Sequence, residues 1–267
     1  MRPTFGRDYI EKEFTQIGAV LTDPLTVYLI GGGAMSLRDL KEATKDIDLV
    51  VADSNAYGHL WAVLMESEYS EIQSLDPEYQ ALGATSCVEN DDGCRLDIFN
   101  QQVANKLVLT EGMRERSDPL LSTGKLTVRL VSNEDIFLFK LIAGRDDDIG
   151  DMNVLVQAGI DYDIVRVELD AQIAKIGDDR FATFANEALL DLEEEYGVTT
   201  PIGDHVAALT ARYYRGFEVL HKLNRPKSVE ELQAELGVDS TDLKQRIEYL
   251  EAFDRVRWDG EKLRQIK

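Results

Sequence analysis

Two apolar runs, the first followed directly by a glycine triplet, constrain this chain more than anything else in it. LTVYLI (residues 25–30) is short, apolar and partly β-branched, as a buried strand is, and Gly31, Gly32 and Gly33 follow it directly. The second run, DIDLVV (residues 46–51), carries Asp46 and Asp48 two positions apart. Strand side chains alternate between faces, so these two carboxylates project together while Ile47 and Leu49 point the other way into a core. Adjacent carboxylates repel one another unless a cation lies between them, and burying them unpaired is costly. Oxygen donors of this kind suit Mg²⁺ or Mn²⁺, commonly shared with substrate phosphates.

The rest of the chain alternates between strand and helix patterns. Tyr9, Ile10, Phe14, Ile17 and Leu21 have helical spacing over residues 8–21, and further helices are expected over 34–40 and 56–66. Residues 84–88 and 95–99 read as a hairpin around the polar turn ENDDG, and 126–131 as another strand. From Asn133 to about Leu223 the texture is helical, with breaks near Gly159, Gly177 and Pro201. The expected fold class is therefore α/β, a small mixed sheet flanked by helices and followed by a helical region. Asp97 in RLDIF is a third aspartate inside an apolar strand pattern. Beside the DIDLVV strand it would complete a three-carboxylate cluster able to hold two metal ions, one for an attacking hydroxyl and one for a leaving pyrophosphate.

Charge narrows the partners. The chain of 267 residues has 50 acidic and 29 basic side chains, a net charge of −21, and such a surface repels nucleic acid at ordinary ionic strength. The acids run from Asp8 to Glu261 rather than massing in a tail, which suits a solvated surface adapted to a high-salt cytoplasm; a docking surface for a basic partner is the alternative. No apolar run reaches the ~18 residues of a membrane span, and MRPTFGRDYIEKEF turns charged too early for a secretory signal, so the cytoplasm is the expected location. Cys87 and Cys94 flank the hairpin turn and so have the placement to face each other; free thiols are expected in the cytoplasm. His59, His205 and His221 show no ligand spacing.

Gly31, Gly32 and Gly33 would let backbone approach phosphate oxygens, although a glycine triplet alone is equally an ordinary strand-to-helix turn. No Gly-Lys-Ser/Thr follows, and the G-x-G-x-x-G spacing is absent. In combination, the pattern Ile30-Gly31-Gly32, a spacer, Asp46-Ile47-Asp48 and the later Asp97 resembles the nucleotidyltransferase superfamily of DNA polymerase beta. Within it the chain looks most like the small prokaryotic branch that includes the AbiE-type toxins, through GGGAMSLRDLKEATKDIDLVV with Thr44 two residues before the first aspartate, and through NEDIFLFKLIAGRDDDIGDM. Lys140, Arg145, Asp148 and Asp151 match that branch's second block; the spacer is long and Gly33 stands where a small side chain is common. The resemblance covers roughly residues 25–155.

The resemblance implies Mg²⁺- or Mn²⁺-dependent transfer of a nucleoside monophosphate from an NTP to an acceptor hydroxyl on an RNA end, a protein or a small molecule, with a toxin–antitoxin setting. Asp46 and Asp48 would hold metal, Asp97 would orient or deprotonate the acceptor, and Gly31, Gly32, Gly33, Lys140 and Arg145 would bind the nucleotide, with Thr44, Asp148 and Asp151 in support. Lys140, on an apolar helix face, either snorkels to the surface or meets an anion. Arg145 has a local alternative, pairing with Asp148, and Asp148 and Asp151 have one in capping. Residues 228–267 read as helix, turn, helix and hairpin, the order of a winged helix-turn-helix, opened by a capping-box pattern at Ser228. Lys244, Arg246, Arg255, Arg257, Lys262 and Arg264 make it a candidate for DNA, RNA or protein contact. The expected division is 1–132, 133–224 and 225–267. An idle nucleotidyltransferase fold serving a winged-helix regulator is the alternative function.

Overall fold

The computed structural model of the chain describes residues 2–73, 83–103 and 106–266. Its centre is a mixed sheet of seven strands, larger than the small sheet expected. They are β1 (Leu25–Ile30), β2 (Asp46–Val51), β3 (Tyr69–Glu71), β4 (Ser86–Asn90), β5 (Arg95–Asn100), β8 (Asp118–Thr123) and β9 (Leu126–Leu130), in the order β3-β4-β5-β2-β1-β9-β8. β1 runs parallel to β9 and β2 parallel to β5; the other neighbours are antiparallel. The short β6 (Gln102–Val103) and β7 (Leu107–Val108) pair separately. β1, β2 and β5 bury nearly every residue, so they read as continuous apolar runs broken only where a charge must face the site.

Helices Arg7–Val20 and Ser54–Met65 pack against the sheet and against each other. The first presents Ile10, Phe14 and Ile17, and the second Leu60, Val63 and Leu64, at helical spacing. Asp53 caps the second by accepting from the Asn55 and Ala56 amides. The helix expected over 34–40 instead starts at Gly31 and ends at Ser36. Its start lies close to the β2 side of the site: a Cβ on Gly32 would stand 2.9 Å from the Thr44 hydroxyl oxygen, whereas one on Gly33 would meet its neighbours only at ordinary contact distance.

The helical half starts with Asn133–Ala143, capped by Ser132 and buried on almost every side through Ile136, Phe137, Leu138, Phe139, Leu141 and Ile142. Gly144 in the left-handed conformation ends it, a break the sequence pattern had merged into a longer helix. Asp146–Ala158, Tyr162–Ile176, Phe181–Tyr196 and Gly203–Lys222 follow, with breaks at Gly159 and Gly177 and before Gly203. Arg116 ties this half to the sheet side, donating to Asp135 at 2.7 Å and to Glu168 at 2.6 Å.

Helices Val229–Leu236 and Ser240–Ala252 and the hairpin β10 (Val256–Asp259) and β11 (Lys262–Gln265) follow, with the capping box at Ser228 and Glu231 formed and Gly260 in the hairpin turn. They close over a second apolar cluster of Val219, Leu232, Leu243, Ile247, Leu250, Val256 and Leu263. Among the described residues no helix is long and apolar enough to cross a membrane.

Candidate functional site

The parallel pairing of β2 with β5 sets Asp48 directly beside Asp97 and Asp46 beside Arg95. Side chains in register on neighbouring strands share a face, so four charges project together from the middle of the sheet. Asp97 is buried, and both its oxygens accept from Arg95, from Nε at 2.5 Å and from Nη2 at 3.0 Å. The same guanidinium lies 3.2 Å from the Cys87 Sγ. Asp46 meets Arg2, Nη1 to Oδ1 at 2.7 Å. Thr44 shapes the turn into β2: its hydroxyl donates to the Asp46 carbonyl at 2.8 Å. Gly31 has a φ of +63°, and a Cβ there would stand 2.3 Å from Asp48 Oδ2, so only glycine leaves room for that carboxylate.

Thr44, Asp46, Asp48 and Asp97 line one cavity of about 700 Å³ with Thr4, Gly32, Lys41, Lys45, Lys140, Arg145, Asp147, Asp148 and Asp151. The structure thus brings together Gly32, Thr44, Asp46, Asp48, Asp97, Lys140, Arg145, Asp148 and Asp151, with Gly31 against Asp48, while Gly33 packs toward Leu29. Lys140 is buried, and the anions it meets are in the chain itself: Asp148 at 2.9 Å and Asp151 at 2.6 Å. Arg145 reaches Asp148 at 2.8 Å, the local pairing that its spacing allows. Lys41 joins Asp151 at 2.9 Å. The result is a ladder of alternating charge, Lys41, Asp151, Lys140, Asp148, Arg145, along the wall opposite the sheet.

The two walls titrate differently. Burial, and then the nearby charges of Asp97 and Asp46, push the Asp48 carboxyl up to about 7, against the pull of Arg145 and Lys140. Burial also raises Asp97, and Arg95 only partly offsets it. Asp148 goes the other way: burial would raise it, but Arg145 and Lys140 outweigh that and hold it below the usual carboxylate range. Among the described residues no three His, Cys, Asp or Glu side chains are gathered as a ready metal-ligand set. The donor chemistry nevertheless fits a hard divalent cation at Asp46 and Asp48, where burial and then the neighbouring carboxylates already favour the protonated form of Asp48. Asp97 would join them only by exchange with Arg95.

Arg95 is not among the expected site residues although a signal for it exists: it stands two residues before Asp97, so the alternation that pairs Asp46 with Asp48 also pairs these two. Arg2, Lys41 and Lys45 left no such signal, because loops bring them in. Cys87 sits opposite Asp97 rather than opposite Cys94, and both thiols are free and buried. Of the C-terminal cations, Arg246 is bound to Glu218 and Asp242, Lys244 to Glu248, Arg255 to Asp178 and Arg264 to Asp259; Arg257 and Lys262 are exposed on the hairpin.

Around this cavity of carboxylate face and cationic wall, residues 10–189 match the model of a family described as nucleotidyltransferase of unknown function (DUF6036). The chain belongs to that family. The match places this nucleotidyltransferase-family chain in the superfamily and does not reach the AbiE-type branch. A crystal structure of an antigenic nucleotidyltransferase-like protein from Paracoccidioides brasiliensis is similar at 16% identity, covering 78% of this chain and 95% of that one, with a TM-score of 0.43, a likeness too slight to argue from. Among curated proteins, no sequence matches the chain.

Proposed function

We propose that the chain transfers a nucleoside monophosphate from an NTP to an acceptor hydroxyl, using Mg²⁺ or Mn²⁺. The observation that carries this reading is Asp48, a carboxylate open to the cavity, crowded by Asp46 and Asp97, in a chain whose family is described as nucleotidyltransferase. Asp46 and Asp48 would hold the cation, which supplies charge stabilisation at the reacting phosphoryl group when bound. Asp97, fixed by Arg95, would orient the acceptor hydroxyl. Lys41, Lys140 and Arg145 would face the phosphates, and Gly31 and Gly32 keep the floor between the walls clear of side chains. A cavity of about 700 Å³ is the right order for a nucleotide. The acceptor is an RNA end, a protein or a small molecule. The toxin–antitoxin setting rests on the block around Lys140 and Asp151.

The order of elements in 225–267 supports a winged-helix reading and a division at 1–132, 133–224 and 225–267. With most of its cations paired to acids, that unit suits protein contact at least as well as DNA contact. The net charge of −21 supports a cytoplasm rich in salt. A second reading, an idle domain serving as regulator or partner, is favoured by the two arginines that hold Asp46 and Asp97. Titration calorimetry with Mn²⁺ and each NTP in high-salt buffer separates the two. Metal-dependent NTP binding, lost in the Asp46→Asn, Asp48→Asn double variant, is expected for the enzyme; no heat with any pair would give the chain to the idle reading.

A further inference from the structure

The segment before the first helix is fastened at the mouth of the cavity. Phe5 is buried, its amide donates to the Thr44 carbonyl at 2.7 Å, and the Thr44 amide donates back at 3.0 Å. Pro3 lies against Gly93, where a Cβ would come within 3.2 Å of its ring, and Thr4 lines the cavity. This anchoring brings Arg2 to the mouth of the cavity. Its Nη1 meets Asp46 Oδ1 at 2.7 Å, and its Nη2 stands 4.0 Å from Glu89 Oε2 on β4. Arg2 and Asp46 are about one-third and one-sixth exposed, so exchange at this pair needs no unfolding.

Resting on the reading that Asp46 holds a divalent cation, we infer that Arg2 is itself a residue of this site, a tethered cation that occupies Asp46 until a divalent ion displaces it. Glu89 is the acceptor of the displaced guanidinium, already within reach. A dication outbids a single guanidinium for two carboxylates because its charge is doubled and more compact. The exchange sets how much free cation the site needs before it loads. It also links loading to the segment 2–5, since Thr44 both anchors that segment and holds the Asp46 carbonyl.

The test is Mn²⁺ affinity of the full chain, read from the electron paramagnetic resonance of the free ion, with folding checked by circular dichroism. A competitor worth as much as a partly exposed ion pair changes affinity by a small factor, so Arg2→Ala is expected to bind Mn²⁺ about two- to fivefold more tightly than the parent. Arg2→Lys, which keeps the charge, is expected to stay near the parent, and Glu89→Gln to bind about twofold more weakly because the displaced arginine loses its receiver. Equal or weaker binding by Arg2→Ala, with the parent still binding, overturns the inference and leaves the proposed function standing. Absence of binding by every protein overturns both.

Discussion

Asp48 and Asp148 are the same residue type on opposite walls of one cavity, and their acidities move in opposite directions. Burial raises both, so burial does not separate them. The ratio of charges does. On the sheet wall Asp46, Asp48 and Asp97 share two guanidinium groups, those of Arg2 and Arg95. On the helical wall Asp148 and Asp151 share three cations, Lys41, Lys140 and Arg145. Among these paired groups the sheet wall is short of positive charge and suits a cation, while the paired acids of the helical wall are outnumbered by cations; exposed Asp147, also in the lining, brings that wall to balance. The contrast teaches that a carboxylate's sequence context matters less than the number of cations the fold delivers to it.

The hardest blow to this contrast is removal of Lys140. Lys140→Met removes the partner that buried Asp148 and its neighbour Asp151 share, and because Arg145 still holds Asp148 and Lys41 still holds Asp151 the expected loss is at the low end for a broken buried pair, about 3 kcal/mol of unfolding free energy in urea titrations. Adding Asp148→Asn should recover part of it; a single variant as stable as the parent would show that the ladder is decoration. Next comes Gly31→Ala, expected to cost about 2–3 kcal/mol through its positive φ and the collision with Asp48 Oδ2. In an Asp48→Ala background the collision disappears and the conformational part remains, so the cost should shrink without vanishing.

Asp48→Asn should act in the opposite sense. Because the folded carboxyl titrates at about 7, above the ordinary aspartate value, the native state holds a proton that the unfolded state has released. Parent stability therefore falls as pH rises from about 4 to about 7 and stays low above it. The asparagine variant escapes this loss. It should be more stable than the parent by roughly 2 kcal/mol at pH 8, about half of the ~4 kcal/mol the full shift would give, because water in the open cavity screens the half-buried Asp48; the gap closes toward pH 4. Denaturation curves at the two pH values measure it directly, and a gap that widens toward acid would reverse the assignment.

Where the chain pattern is local, the sequence was transparent. Alternation along DIDLVV and RLDIF placed Asp46, Asp48 and Asp97, and helical spacing placed Phe14, Ile17 and the run around Lys140. The strand Asp118–Thr123 escaped because it lies at the sheet edge, is mostly solvent-facing and contains Pro119, so it has no apolar alternation to read. The lysine was visible as an anomaly in an apolar helix, but its partners follow from the left-handed turn at Gly144, which folds the next helix back so that Asp148 and Asp151 reach it. Arg2 and Lys41 depend on long-range closure of loops, which no periodicity records.

The gentlest test is Arg145→Ala, and it probes whether the two walls act on each other. The arginine donates to Asp148 from Nε at 2.8 Å and from Nη2 at 3.0 Å, yet its side chain is 43% exposed. Solvent screens such a pair, and Lys140 still holds Asp148, so the expected loss is only about 0.5–1 kcal/mol, smaller again in high salt. Its second effect falls on the other wall. The Arg145 charge is one of the influences that lower Asp48, so its removal should move the Asp48 titration upward. The pH at which stability stops falling should then shift upward in Arg145→Ala relative to the parent. An unshifted midpoint with the small stability loss intact would mean that each wall is neutralised separately, and the cavity would have to be treated as two sites rather than one.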